Sequence, residues 1–358
     1  MRTLIVPCGG RSSRFVNMRP KYLLTYPDGE IMVKKAISGI KLDIFNRIII
    51  TIVQEHCDKY EADLILKQAL NIGDNSKIEL CVLPVFTSCQ SETVYETIKR
   101  MKVEGSVVIK DSDNYIEIDC LPDSNFIVGL NVNEFGKEIL RLNSKSFLII
   151  NNQKIITDII EKKIKSDYIC VGMYGFKSAD SFCSSYEQLS AEFDHSDSRE
   201  IFISHVISFM IGVSSSIFEY IGTLQFEDWG TSKDWQIVQG KMKTYFIDFD
   251  GVIVKNCGKY GSKNWDNELI PIEENIITIK ELYDDGAQIV VTTARDDKYR
   301  DLINAFFDKN GMKLHAIVTN CHHAARVLIN DFAPSNPYPS CEAVSIPRDG
   351  SLKSYIKG

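Results

Sequence analysis

Three apolar runs in the last third of this chain each end in polar residues of a particular kind, and that repetition narrows the fold. Tyr245-Phe246-Ile247 runs into Asp248-Phe249-Asp250-Gly251-Val252. Ile289-Val290-Val291 runs into Thr292-Thr293-Ala294-Arg295, and Val327-Leu328-Ile329 into Asn330-Asp331. Short apolar runs bounded by such residues read as buried strands. Helix-like stretches at about 273–285 and 298–309 lie between them. Strand, helix, strand, helix is the pattern of a parallel sheet, whose ligands collect at the strand carboxyl ends. Asp248 and Asp250, two residues apart, repel each other unless a cation such as Mg²⁺ lies between them. With the cation there, one carboxylate is suited to attack phosphorus and the other to move a proton.

The order and spacing of these pieces, over about residues 243–350, resemble the haloacid dehalogenase-type phosphatase superfamily. The resemblance implies Asp248 as nucleophile, Asp250 as general acid/base and Thr293 as a phosphate-binding hydroxyl. It also implies Mg²⁺ held by Asp248, Asp250 and Asp331, with Asn330 nearby. The chain departs from that pattern at one point. Where the family has a Lys before its last acidic motif, this chain reads Asn320-Cys321-His322-His323-Ala324-Ala325-Arg326. Arg326 is the substitute cation, since a guanidinium pairs well with phosphate, and His322 is the alternative by position. Residues 255–271 leave room for a minimal cap only. Asn264-Trp265-Asp266 in it is a candidate substrate contact, and Asn336-Pro337-Tyr338-Pro339 reads as a rigid extended loop.

At 358 residues the chain exceeds one ordinary core, and two domains are expected, 1–240 and 241–358. A hydrophobic share of 44% and a charged share of 25% belong to a globular protein. The net charge of −7 argues against a nucleic-acid partner, so phosphorylated ligands require local Lys and Arg. No apolar run approaches the ~20 residues that span a bilayer. The opening residues do not read as a signal peptide. Ten scattered Cys fit reduced thiols in a cytoplasm.

At the amino terminus, Thr3-Leu4-Ile5-Val6-Pro7 reads as a strand. It runs into Cys8-Gly9-Gly10-Arg11-Ser12-Ser13-Arg14-Phe15, followed by Arg19-Pro20-Lys21. Gly9 and Gly10 let backbone approach a phosphate chain, whose oxygens the amides near Ser12 and Ser13 can meet. Arg14 adds a charge-assisted contact, and Lys21 offsets triphosphate charge.

This opening resembles the sugar-phosphate nucleotidyltransferases, which share a fold with nucleotide-sugar-dependent glycosyltransferases of the GT-A kind. Later stretches match in order across about residues 1–240. Thr87-Ser88-Cys89-Gln90 lies where the family reads the base. Asp111-Ser112-Asp113 ends a strand where the family holds a metal. Ile160-Glu161-Lys162 matches a Glu-Lys pair whose Lys contacts sugar phosphate, without the Pro that follows it in the family. Val171-Gly172-Met173 matches a sugar-side strand, and Glu227-Asp228-Trp229 the second metal carboxylate. The resemblance implies Mg²⁺ on Asp113 and Asp228, with Asp111 the rival for the first position.

The fold expected is α/β, with two Rossmann-like α/β/α domains. The function expected is bifunctional: nucleotidyl transfer from a nucleoside triphosphate (CTP preferred by analogy) to a sugar or polyol phosphate, and phosphomonoester hydrolysis. Two alternatives stand beside it. In one, the first domain only binds a nucleotide sugar; in the other, it is a glycosyltransferase using Asp111-Ser112-Asp113. Phe202, Val206 and Phe209 are spaced as a helix core face. His195 and His205 read as surface or satisfied residues, and Trp229 and Trp235 as packing groups.

Overall fold

The computed structural model describes residues 1–15, 18–135, 142–192, 200–256, 265–266, 268–332 and 340–356. His195, Asn264 and 336–339 lie outside the described residues. The chain divides into two compact units, Met1–Ser232 and Lys233–Gly358. The division falls at the start of a helix that runs through the expected joint near Gly240.

The first unit is built on eleven strands. They are β1 (Arg2–Pro7), β2 (Arg47–Val53), β3 (Ile78–Leu83), β4 (Ser106–Lys110), β5 (Asn114–Ile116) and β6 (Asn125–Asn131). β7 (Ser146–Ile150), β8 (Ile155–Glu161), β9 (Tyr168–Phe176), β10 (Phe218–Gly222) and β11 (Phe226–Asp228) follow. Its helices are α1 (Met32–Ser38), α2 (Gln54–Tyr60), α3 (Ala62–Ala69), α4 (Gln90–Met101), α5 (Ala179–Glu192) and α6 (Ile203–Gly212).

Nine of the strands form one mixed sheet in the order β3-β2-β1-β4-β9-β6-β10-β8-β7. β3, β2, β1 and β4 run parallel. Strands buried on both faces read as continuous apolar runs, and β1 and β2 do. Ile5 and Ile49 join a core with α4, α5 and α6 on one side. Leu4, Val6, Ile48 and Ile50 join a second core with α1 and α3 on the other. The chain leaves β1 toward β2 on one flank and β4 on the other. Such a reversal opens a crevice at the strand carboxyl ends, where the loops after β1 and β4 emerge.

α6 corrects the expected core face. Its buried stripe is Ile203, Val206, Ile207 and Met210, while Phe202 and Phe209 are half-buried. The spacing was right and its phase was not. Trp229 and Trp235 are buried, as packing groups should be. His205 is half-buried, and its Nδ1 accepts from the Phe202 amide at 3.3 Å.

His56 on α2 is 4% exposed, with Nδ1 3.0 Å from the Tyr22 hydroxyl and its ring packed edge-on to Tyr60 and Phe86. Burial, helped by Lys59, lowers its pKa from 6.5 to about 4. Below pH 6.5 the unfolded chain takes a proton that the folded one refuses. The stability from neutral His56 is therefore whole above pH 6.5 and is lost as pH falls toward 4, at about 1.4 kcal/mol per pH unit. Urea midpoints over this range should fall less steeply for His56→Gln than for the parent. Parallel curves would refute the assignment.

The second unit holds α7 (Ser232–Lys241, shared with the end of the first), α8 (Glu273–Asp284) and α9 (Arg300–Lys309). Its sheet has three parallel strands, β12 (Thr244–Asp248), β13 (Gln288–Thr292) and β14 (Ala316–Val318). Ile276 and Ile279 of α8 and Ile303 and Phe307 of α9 share one core with Ile247, Ile289 and Val291. Phe246 and Val318, on the other face, are 53% and 45% exposed. Val290, on that same face, is buried. The expected strand at 327–330 is absent. That segment has no regular secondary structure, with Val327 and Ile329 81% and 90% exposed. Its β-branched composition suits a strand, but no sheet edge pairs with it. The Lys255 amide donates to the Ile270 carbonyl at 2.8 Å.

Candidate active sites

In the first unit the site forms where the loops after β1 and β4 meet the β5–β11 ribbon. That antiparallel pair puts Asp228 opposite Asn114, next to Asp113. The Trp229 amide donates to the Asp113 carbonyl at 2.8 Å. A Cβ on Gly230 would lie 3.1 Å from Asp228 Oδ1 and 3.3 Å from Asp113 Oδ2, so both carboxylates face one spot. Lys21 Nζ donates to Asp113 Oδ2 at 2.6 Å, and Lys145 Nζ pairs with Asp228 Oδ2. Burial works to strip the Lys21 proton, but Asp113 overrides it and holds the ammonium above its usual range. Burial likewise pushes Asp113 up, and the charges of Lys21, Lys145 and Lys110 outweigh it and hold the carboxyl low.

Asp111 behaves differently. Its carboxyl accepts from Gln90 Nε2 at 2.6 Å, at the start of α4, and its amide donates to the Gly172 carbonyl at 2.8 Å. Burial, then repulsion from Asp113, raises its pKa to about 6. Gln90 thus orients Asp111, and Asp113 is the carboxylate placed with Asp228. Gly172 has φ +77°, and a Cβ there would lie 2.3 Å from Asp111 Oδ2. Lys110 is wholly buried beneath the loop, donating to the Asp111 and Asn114 carbonyls at 2.8 and 2.9 Å. Burial lowers its pKa to about 8.

The β1 loop is where the sequence places it. A Cβ on buried Gly9 would lie 3.2 Å from Thr93 Cγ2 of α4, so the glycine lets the loop rest on that helix. Ser12 Oγ accepts the Lys21 amide at 3.1 Å. Gly10, Ser13 and Arg14 are exposed. Lys162 is the residue expected at the sugar phosphate. Its Nζ stands 3.9 Å from the Phe202 ring centroid and 3.9 Å from Glu161. Sequence reasoning missed Lys145 and Lys110. Lys110 sits at the end of a buried apolar strand, where an unpaired charge is costly, and that was a readable signal.

In the second unit Asp248 and Asp250 follow β12. Arg295 grips Asp250 with two groups, Nε to Oδ2 at 2.9 Å and Nη2 to Oδ1 at 2.7 Å. Buried Thr293 Oγ1 stands 3.4 Å from Asp250 Oδ2, and Arg326 Nη2 is 3.8 Å from Asp248 Oδ1. Arg326 Nη1 also donates to the His322 and Ala324 carbonyls at 2.7 Å. Burial raises the Asp248 carboxyl, with Asp250 adding and Arg326 opposing. Arg295 was unforeseen; the chain bends after Thr293, whose Oγ1 accepts the Arg295 amide at 3.1 Å.

Asp331 is exposed, and with Asp248 and Asp250 it makes no metal-binding group. Among the described residues no three His, Cys, Asp or Glu side chains are so arranged. Asp250 is paired with Arg295, as Asp113 and Asp228 of the first unit are paired with lysines. The first unit fits the ion. Two hard carboxylates face one spot, and Mg²⁺ commonly takes one or two carboxylates and completes its shell with phosphate oxygens and water.

The architecture of the first unit is that of the nucleotidyltransferase fold. A nucleoside-diphosphate-sugar pyrophosphorylase from Vibrio cholerae RC9 is similar at a TM-score of 0.54 and 18% identity, over 66% of this chain and 98% of that one. A Bacillus anthracis protein assigned as a glucose-1-phosphate thymidylyltransferase gives 0.51 and 17%, over 73% and 98%. The inositol-1-phosphate CTP transferase of T. maritima gives 0.50 and 12%, over 67% and 94%. Identities this low establish the fold alone. No family model and no curated protein matches the chain. Among the described residues no helix is long and apolar enough to cross a membrane.

Proposed function

We propose that the first unit transfers a nucleotidyl group from a nucleoside triphosphate to a phosphorylated sugar or polyol, releasing pyrophosphate. The observation that carries this reading is the meeting of Asp113 and Asp228 across the β5–β11 ribbon, each already paired with a lysine. Joining two phosphate groups brings anions together, and placed cations lower that barrier electrostatically. Asp113 and Asp228 would hold Mg²⁺, which when bound neutralises charge at the α-phosphate. Gly9, Gly10 and the amides near Ser12 and Ser13 would take the triphosphate, with Arg14 and Lys21 balancing its charge. The named substrates of the three similar structures are consistent with this class, and the T. maritima transferase makes CTP the first triphosphate to try.

For the second unit we propose phosphomonoester hydrolysis with Asp248 as nucleophile, Asp250 as proton carrier, Thr293 as phosphate-binding hydroxyl and Arg326 in place of the usual Lys. The two reactions in one chain suit consecutive cytoplasmic steps toward an activated precursor of a capsule or other surface glycan. The test is a panel of four nucleoside triphosphates with Mg²⁺ and sugar or polyol phosphates, scored for pyrophosphate. Absence of pyrophosphate across the panel would overturn the first assignment. Asp248→Asn should abolish release of inorganic phosphate from monoesters and leave pyrophosphate release intact. Loss of both activities together would refute the two-site reading.

A further inference from the structure

Lys145 and Lys162 flank one hairpin. Lys145 immediately precedes β7 and Lys162 immediately follows β8, and the two strands pair with Ser146 opposite Glu161. The Lys162 amide donates to the Lys145 carbonyl at 3.1 Å, so the two residues are backbone neighbours. Their side chains diverge. Lys145 turns inward, 16% exposed, and pairs with Asp228 beside the Phe226 ring, whose centroid is 5.2 Å from Nζ. Lys162 has φ +55° and a side chain 46% exposed, and its ammonium lies over Phe202. An ammonium spends its charge where it is held. Lys145 is held at one of the two carboxylates that meet across the ribbon, and Lys162 over a ring.

We propose that Lys145, not Lys162, binds the phosphate group of the acceptor. This rests on the nucleotidyl-transfer reading above. In that reaction an acceptor phosphate oxygen bonds to the α-phosphorus, and the bond from the α-phosphorus to the oxygen bridging to the β-phosphate breaks. The electron pair leaves with pyrophosphate. A cation on the acceptor phosphate screens the approach of the two anions. Asp228 holds the Lys145 ammonium at the carboxylate pair. Lys145 would therefore compete with a divalent cation for Asp228, and once displaced its ammonium would be available to the acceptor phosphate.

Two titrations test this without needing turnover. With Mn²⁺ alone, read by water-proton relaxation, Lys145→Met should bind the ion at least fivefold more tightly than the parent, because its competitor is gone. With Mn²⁺ saturating, inorganic phosphate should bind at least tenfold more weakly to Lys145→Met, and Lys145→Arg should recover most of that loss. Unchanged Mn²⁺ and phosphate affinities in Lys145→Met would overturn the proposal. So would a phosphate loss seen in Lys162→Met in its place. If the parent releases no pyrophosphate with any substrate pair, the functional reading fails, while the two titrations still decide whether Lys145 is the phosphate ligand.

Discussion

Asp113→Asn is expected to lower pyrophosphate release by about a hundred- to a thousandfold, the range seen when one placed electrostatic group leaves a reacting site. The change is nearly isosteric, so the Trp229 amide still meets the residue 113 carbonyl. What goes is the charge that Lys21 contacts at 2.6 Å. The side chains of Lys21 and Asp113 are 28% and 18% exposed, so water screens part of the lost attraction. The stability cost should stay at about 1–3 kcal/mol. Mn²⁺ affinity should fall in step with activity, while monoester hydrolysis at Asp248 should not change. Full activity in folded Asp113→Asn would remove the carboxylate pair from the mechanism. Asp111→Asn makes the contrast, since Asp111 is tied to Gln90 and not to the ribbon.

A larger structural effect is expected at Gly172. At φ +77° an alanine is strained, and its Cβ would come within 2.3 Å of Asp111 Oδ2 and 2.6 Å of Asn114 Nδ2. Something must shift. Asp111 is tethered by the Gln90 side chain and by its amide on the Gly172 carbonyl, so the shift passes into the loop that carries Asp113. Gly172→Ala should lose about 2–4 kcal/mol of stability and most of its pyrophosphate release per folded molecule. Gly175→Ala is the control. Its Cβ would meet the Phe126 ring at 2.0 Å, in the sheet interior, and overpacking there costs about 1–3 kcal/mol. It should lower the urea midpoint while the folded fraction keeps its kcat. If both variants lose kcat equally, the steric path from Gly172 to Asp111 is not the cause.

How much of this was legible depends on the range of the interaction. β1, β4, β12 and β13 lie where continuous apolar runs placed them, because strands buried in a parallel sheet declare themselves locally. The fold class of the first unit followed from the β1 loop and the acidic end of β4. The meeting of Asp113 with Asp228 depends on β5 and β11, three residues each, and strands that short carry almost no periodicity. Lys145 was invisible for a related reason. No motif surrounds it, and its role comes from a hairpin that turns it toward Asp228. The run at 327–330 was misread because composition records what a pleated surface tolerates, not whether a neighbour supplies one. Asp331 is exposed, and among the described residues it forms no three-residue metal group with Asp248 and Asp250.

The lysines on Asp113 and Asp228 have a consequence for assembly. A cage of bare carboxylates repels itself and often folds only around its ion. Here Lys21 and Lys145 are built-in counterions for the pair, so folding without metal is the expected outcome. A chelator should then leave the melting temperature nearly unchanged, and a clear fall would count against this reading.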